Sequence, residues 1–194
     1  YFLGSQGEAA IIDPRRDVDI YLELARKNDI SIRYIFETHR NEDYTIGSLE
    51  LTKYVDAEIL HGSKLDFKYG TKIVDGDTFS LGSLELEVLE TPGHTYESIS
   101  ILVKDKTTKN PLMVFVGDVL FAGEVGRVDF FGEEKIAETA SLLYESIHEK
   151  ILPLGDHVIV CPAHGAGSIC GAQINDQDIT TIGYEKITNP LLKL

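Results

Sequence analysis

The chain has 194 residues, 18 Lys and Arg against 32 Asp and Glu, a formal net charge of -14 and a pI near 4.7. That length suits one domain burying about 70% of its unfolded-chain surface, and 43% hydrophobic with 26% charged residues is globular rather than disordered composition. The excess of acid excludes a nucleic-acid backbone as ligand, and apolar runs of a few residues exclude a helical membrane span. No signal peptide is visible and two cysteines make no disulfide framework, so a reducing cytoplasm is the expected setting.

Tyr1-Phe2-Leu3-Gly4 reads like the middle of a strand, so an opening strand is expected to be missing. Glu8–Asp13 reads as a strand ended by the turn signal Asp13-Pro14. Ile20, Tyr21, Leu24 and Ala25 recur at helical spacing between Asp17 and Asn28, with Asp17 as the expected cap. Ser31–Phe36 is strand-like, Ile46–Tyr54 helical, and Ala57–His61 a short strand. Five strands are expected next, over 72–74, 78–81, 84–89, 98–103 and 112–116, with turns at Gly82-Ser83 and Asp105–Asn110. In Leu84–Leu89 the acids alternate outward, as in a half-buried strand. Ile136, Ala140, Leu143, Tyr144, Ile147 and Ile151 mark the apolar face of a long helix stopped by Pro153, and His157–Cys161 is a last strand. This order predicts two sheets packed on each other, with helices on the outer faces.

Chemistry concentrates where strands run out into loops. The segments are Thr38-His39-Arg40-Asn41-Glu42-Asp43-Tyr44, Thr91-Pro92-Gly93-His94-Thr95, Val116-Gly117-Asp118 and Pro162-Ala163-His164-Gly165. Each places a metal-competent side chain just past a hydrophobic run, where a rigid scaffold holds it and solvent reaches it.

These four segments, in this order, resemble the motifs of the metallo-β-lactamase fold superfamily: His-x-His-x-Asp-His, Pro-Gly-His, Gly-Asp and a late His. Asp13-Pro14-Arg15-Arg16, Gly126-Arg127-Val128-Asp129 and Pro162–Ser168 resemble the persulfide dioxygenase branch, and within it the bacterial fusions to a rhodanese sulfurtransferase. Thr181–Glu185 and Thr188-Asn189-Pro190 look like the end of that domain. The resemblance implies an α/β (α+β) αββα four-layer sandwich, two mixed sheets flanked by helices. It further implies one domain over residues 1–194, a rhodanese module beyond it in cis or a partner in trans, and a homo-oligomer.

The chain departs from the superfamily pattern at two positions: Asn41 replaces the second His of the first motif and Tyr44 the last. A neutral amide is a weak ligand, and a phenol with a pKa of about 10 is seldom ionised at neutral pH. Two metals are therefore poorly supported. His39, His94 and Asp118 remain, two imidazoles and one carboxylate that leave three positions open, as in the facial triad of non-haem Fe(II) oxygenases. By resemblance these three hold one Fe(II) per chain, with zinc as the alternative. Asp43, His164, Asn41 and Thr95 are expected to orient the ligands or a bound water. The resembling enzymes convert glutathione persulfide, or another low-molecular-weight persulfide, with O2 and water to thiol and sulfite, a sulfide-detoxifying reaction. Two other readings stay open: a zinc thioester hydrolase resembling glyoxalase II, and a non-catalytic domain relaying sulfur with a rhodanese.

Arg127 either holds a substrate carboxylate or pairs with Asp129, and Arg40 either faces the site or is solvated. Tyr44 either hydrogen-bonds near the vacated second-metal position or is a packed aromatic. Cys161 reads as a core residue of its strand. Cys170, in the Gly-rich run Gly167–Gly171, reads as a flexible-loop thiol that either carries a persulfide at the metal mouth or is passive. His61, His148 and His157 read as solvated or capping residues.

Overall fold

The computed structural model describes residues 1–41, 44–171 and 173–193. A five-stranded sheet runs in the order β1 (Phe2–Ser5), β2 (Glu8–Ile12), β3 (Ser31–Glu37), β4 (Glu58–Gly62), β5 (Thr71–Ile73). β1 is antiparallel to β2, and the other pairs are parallel. The second sheet contains β6 (Thr78–Leu81), β7 (Leu84–Glu90), β8 (Ile99–Asp105), β9 (Pro111–Gly117), β12 (Ile159–Pro162) and β13 (Thr180–Thr181), in the order β13-β12-β9-β8-β7-β6. Only β9 and β12 pair in parallel there. A small hairpin joins β10 (Leu120–Phe121) to β11 (Glu124–Val125).

Side-chain alternation along the strands separates three apolar layers. Ala10, Ile12, Phe36 and Leu60 face Leu86, Val88, Ile101, Val103 and Phe115 between the sheets, and Cys161 joins this core as expected. Ala9, Ile11, Ile32 and Ile35 point the other way, onto α1 (Asp19–Lys27) and α2 (Ser48–Leu51). Leu102, Val114, Val116 and Val160 pack against α3 (Ile136–Glu145), the π turn Ser146–Ile151 that continues it, and α4 (Ile182–Thr188). The result is the expected four-layer sandwich with two mixed sheets. Glu85 and Glu87 stay partly exposed on β7 and pair with Lys104 of β8. No helix among the described residues is long and apolar enough to cross a membrane.

Several local expectations are corrected. Asp17 does not cap α1: Val18 occupies the N-cap position without a side-chain bond, and Asp17 pairs with Arg15 at 2.7 Å. The helix expected over 46–54 shortens to α2, with turns after it. On α3 the buried face contains Thr139 and Leu143, while Ile136, Ala140 and Tyr144 are exposed. Polar anchoring sets that rotation, because Thr139 Oγ1 donates to Val128 O at 2.6 Å and Ser146 Oγ to Pro92 O at 2.7 Å. His61 is fully buried rather than solvated, its ring between the carbonyls of Gly62 and Tyr69.

The segment after β12 is tied down by a buried carboxylate. Glu185, with no exposed surface, accepts from Gly123 N at 2.9 Å, Thr180 Oγ1 at 2.7 Å and Asn189 Nδ2 at 3.0 Å. Thr181 caps α4 by accepting from Tyr184 N at 3.2 Å. Glu185→Ala leaves three donors without their acceptor and is expected to cost about 3 kcal/mol in denaturant unfolding. A loss below about 1 kcal/mol would show that the carboxylate is not the lock.

Candidate metal centre

The loops leaving β3, β7, β9 and β12 meet at one end of the sandwich, and backbone bonds tie them together. Ile99 N donates to Thr38 O at 2.8 Å, Thr91 N to Ser98 O at 2.9 Å, and Ala163 N to Gly117 O at 2.8 Å. Two glycines permit the close approach. Gly117 has φ +55°, and a Cβ there would stand 2.7 Å from Thr38 Oγ1. Gly93 has φ +143°, and a Cβ there would stand 2.4 Å from the Leu143 backbone. The residues following them, Asp118 and His94, are thereby turned inward.

His39, His94 and Asp118 are all buried, with one ligand atom of each within 4.8 Å of the others. His39 Nε2 lies 3.6 Å and His94 Nε2 3.4 Å from Asp118 Oδ2. Ligands about 2.1 Å from one ion stand about 3.0 Å apart at right angles and about 3.4 Å apart in a tetrahedron, so the spacing suits a shared cation.

Neighbours fix which ring nitrogen is offered. Thr38 Oγ1 donates to Asp13 Oδ2 at 2.7 Å, so toward His39 Nδ1, 2.9 Å away, it acts as acceptor. Asp13 also accepts from Thr38 N at 2.8 Å. His94 Nδ1 lies 2.9 Å from Arg127 O, an acceptor only. Both imidazoles therefore carry hydrogen on Nδ1 and turn Nε2 toward Asp118, which leaves Nε2 as the nitrogen to be offered to a metal, the arrangement in which an outer acceptor orients a metal-binding His.

Electrostatics separates the ligands. Burial alone would raise Asp118, but hydrogen bonds from His164 and His39 and their positive charge outweigh it and hold the carboxyl far below the usual range. Burial pushes His94 down to about 4, only partly offset by Asp118, so this imidazole is neutral at physiological pH. Burial also opposes charge on His39, yet the hydrogen bond and charge of Asp118 raise it above its ordinary value. The set is one carboxylate and one neutral imidazole, with a second imidazole balancing the carboxylate, a donor set that fits a divalent cation.

The other expected site residues are placed as follows. His164 Nδ1 lies 2.7 and 2.9 Å from the Asp118 oxygens, directly against the ligand carboxylate. Asn41 Nδ2 donates to His39 O at 3.3 Å, and its buried Oδ1 has no hydrogen-bond partner among the described residues. Tyr44 packs its ring 6.0 Å from His164 and sends its hydroxyl to Asp13 O at 3.3 Å. Thr95 bonds Ser98 Oγ at 2.7 Å and so braces the turn after His94. Asp43 lies outside the described residues. The Arg127 guanidinium pairs with Asp129 at 2.6 and 2.8 Å, and it is the backbone carbonyl of Arg127 that reaches a ligand. Arg40 pairs with Asp66 at 2.5 Å. Cys170 lies beside the site, its sulfur within 4.8 Å of a ring nitrogen of His164 and an oxygen of Asp118, but its side chain is buried with Phe121 and Ile174, and Arg127 N donates to its carbonyl at 3.1 Å. Sequence reasoning missed the Asp13–Thr38 relay, although a hydroxyl residue immediately before His39 was the available signal.

A cavity of about 610 Å³ adjoins these ligands, lined by the cations Arg40 and Lys64, the acids Asp66 and Glu97, and Thr95, Tyr96, Phe130 and Phe131. Phe130 packs edge-on against the His94 ring at 5.0 Å. A larger cavity of about 740 Å³ lies at the opposite ends of β3 and β4 and touches none of the ligands.

Residues 1–164 match the Metallo-beta-lactamase superfamily. The mitochondrial persulfide dioxygenase ETHE1 of Bos taurus is 31% identical over all of this chain and 71% of its own length. The hydroxyacylglutathione hydrolase GloC of Haemophilus influenzae is 29% identical over 95% of this chain and 87% of its own length. A crystal structure of a metallo-β-lactamase from Staphylococcus aureus subsp. aureus COL superposes on the whole chain with TM-score 0.88 at 33% identity, and this chain spans 59% of that one. The chain belongs to the metallo-β-lactamase superfamily, and its likeness to persulfide dioxygenase along its full length supports the branch that its motifs resemble.

Proposed function

We propose that this chain is a mononuclear, iron-dependent persulfide dioxygenase acting on glutathione persulfide or a similar low-molecular-weight persulfide. The observation that carries this reading is the donor set: two imidazoles and one carboxylate converge at His39, His94 and Asp118, while Asn41 and Tyr44 stand where the superfamily motif has two further histidines. That set suits Fe(II) with open positions better than a pair of zinc ions. Overall, a persulfide anion, O2 and water become a thiolate, sulfite and two protons. Iron held by these three residues supplies the redox step.

The chain's own residues position and desolvate. Asp13 and Thr38 hold hydrogen on His39 Nδ1, and Arg127 O holds it on His94 Nδ1, so neither ring needs to reorient during turnover. His164 stays hydrogen-bonded to Asp118 and fixes the carboxylate plane. In the adjoining cavity, Phe130, Phe131 and Tyr96 give an apolar side, and the cations Arg40 and Lys64 stand with the acids Asp66 and Glu97 on its rim.

Oxygen uptake with glutathione persulfide tests the reading. The iron-loaded protein is expected to consume O2 and release sulfite, and His94→Ala to fall to background while keeping its fold by circular dichroism. Hydrolysis of a glutathione thioester by the zinc-loaded protein, with no O2 uptake by the iron-loaded one, would favour the hydrolase instead.

Thr38→Val removes the acceptor for His39 Nδ1 and is expected to weaken iron binding about 10–100-fold. Thr38→Ser keeps the hydroxyl and should bind nearly as wild type. Equal binding by all three proteins would show that the relay does not position His39.

A further inference from the structure

A further cavity, of about 280 Å³, lies under α3 and shares no lining residue with the one that adjoins the ligands. Its walls are Val128, Leu143, Ile147 and Leu192, with Tyr144 and His148 also facing it, and no Asp, Glu, Lys or Arg among the described residues lines it. The Tyr144 and His148 rings stack with centroids 4.1 Å apart, and Tyr144 is 55% exposed, so this pair marks the mouth. The fold holds the cavity open. Asn189 Nδ2 donates to Glu124 O at 3.1 Å and pins the turn that carries Leu192, while Thr139 Oγ1 ties α3 to Val128 O. A water needs two to four polar partners to settle in such a place, whereas an apolar cavity of about 150 Å³ already takes up benzene.

The inner wall of this cavity is also the support of His94. Gly126 lines it, and a Cβ there would overlap Asp118 O and stand 3.2 Å from His94 Cβ. Leu143 lines it too, and its backbone leaves no room for a side chain at Gly93, the residue before His94. Between Gly126 and Val128 stands Arg127, whose carbonyl lies 2.9 Å from His94 Nδ1. Three of the contacts that orient this ligand are thus made by residues that line the cavity or stand between them.

We propose that the cavity is a binding site for a neutral, largely apolar molecule of one or two rings, and that its occupancy is coupled to metal binding through His94. With no charged side chain on its walls it does not suit an anionic thiol, and the aromatic pair at the mouth suits a planar ring. An occupant backs Gly126, Val128 and Leu143 from the empty side, so His94 has less motion to lose when it takes up a cation. The coupling is reciprocal: the occupant tightens the metal by the factor by which the metal tightens the occupant. The inference rests on reading His94 as a metal ligand, but not on the identity of the reaction.

Indole is the probe, because the chain has no Trp and indole emission then carries no tryptophan background. Titrated with metal-free and with zinc-loaded protein, indole is expected to bind with a blue-shifted emission, and about 5-fold more tightly to the zinc form. Zinc affinity, measured by competition with a chelating dye, should rise by the same factor in saturating indole. Ala140→Phe, at an exposed position of α3 on the cavity, should abolish both the shift and the effect of indole on zinc. No shift with the wild-type protein would overturn the site, as would a shift that Ala140→Phe retains, which would place indole elsewhere. Equal zinc affinity with and without saturating indole would overturn the coupling. O2 uptake plays no part in these readouts, so the dioxygenase reading and this one fail separately.

Discussion

The site depends on one buried carboxylate. Asp118 has almost no exposed surface and stands among three imidazoles, those of His39, His94 and His164. An anion in such a place is tolerable only when paired and hydrogen-bonded, and removing its partners leaves an uncompensated charge. The imidazoles supply that compensation without a cation. A divalent ion supplies it more strongly, so the folded chain is organised for metal before metal arrives. This pre-organisation gives the ligand geometry its precision.

The sandwich exists, for this purpose, to hold four loops at one end. β3 delivers Thr38-His39, β7 leads to Gly93-His94, β9 to Gly117-Asp118, and β12 to Pro162-Ala163-His164. Because β9 and β12 are parallel neighbours, with Gly117 opposite Pro162, Asp118 and His164 emerge side by side. β3 belongs to the other sheet, and the bond from Ile99 N to Thr38 O joins the two sheets at the mouth of the site. The inter-sheet core around Phe36, Ile101 and Phe115 sets the distance between those strand ends. Core packing and ligand spacing are therefore one constraint, and a one-residue slip in any of the four strands would move a donor to the wrong face.

Much of this was legible in the residues. Period-two alternation located the long strands, and the position of each His or Asp just past an apolar run located the ligands. What escaped was whatever depends on tertiary partners. The two-residue strands β10, β11 and β13 are too short for any period to register, and α4 contains Gly183 in its first turn. Of the apolar face expected on the long helix, Leu143, Ile147 and Ile151 are buried, while Ile136, Ala140 and Tyr144 stay exposed and Thr139 and Ser146 turn inward to reach backbone carbonyls. His61 looked like a surface residue, although two carbonyl oxygens make a polar niche for it in the interior. Cys170 looked mobile because glycines surround it, whereas Phe121 and Ile174 bury it. The Asp13–Thr38–His39 chain spans 25 residues between its carboxylate and its hydroxyl, a contact that no local pattern contains.

The central claim is that His39, His94 and Asp118 hold one cation in common. X-ray absorption at the iron edge of the iron-loaded protein tests it most directly. The account predicts a first coordination sphere of nitrogen and oxygen donors at about 2.0–2.2 Å with the outer-shell scattering of two imidazoles. A spectrum without imidazole scattering, or unchanged when His39 and His94 are both replaced by alanine, would contradict it.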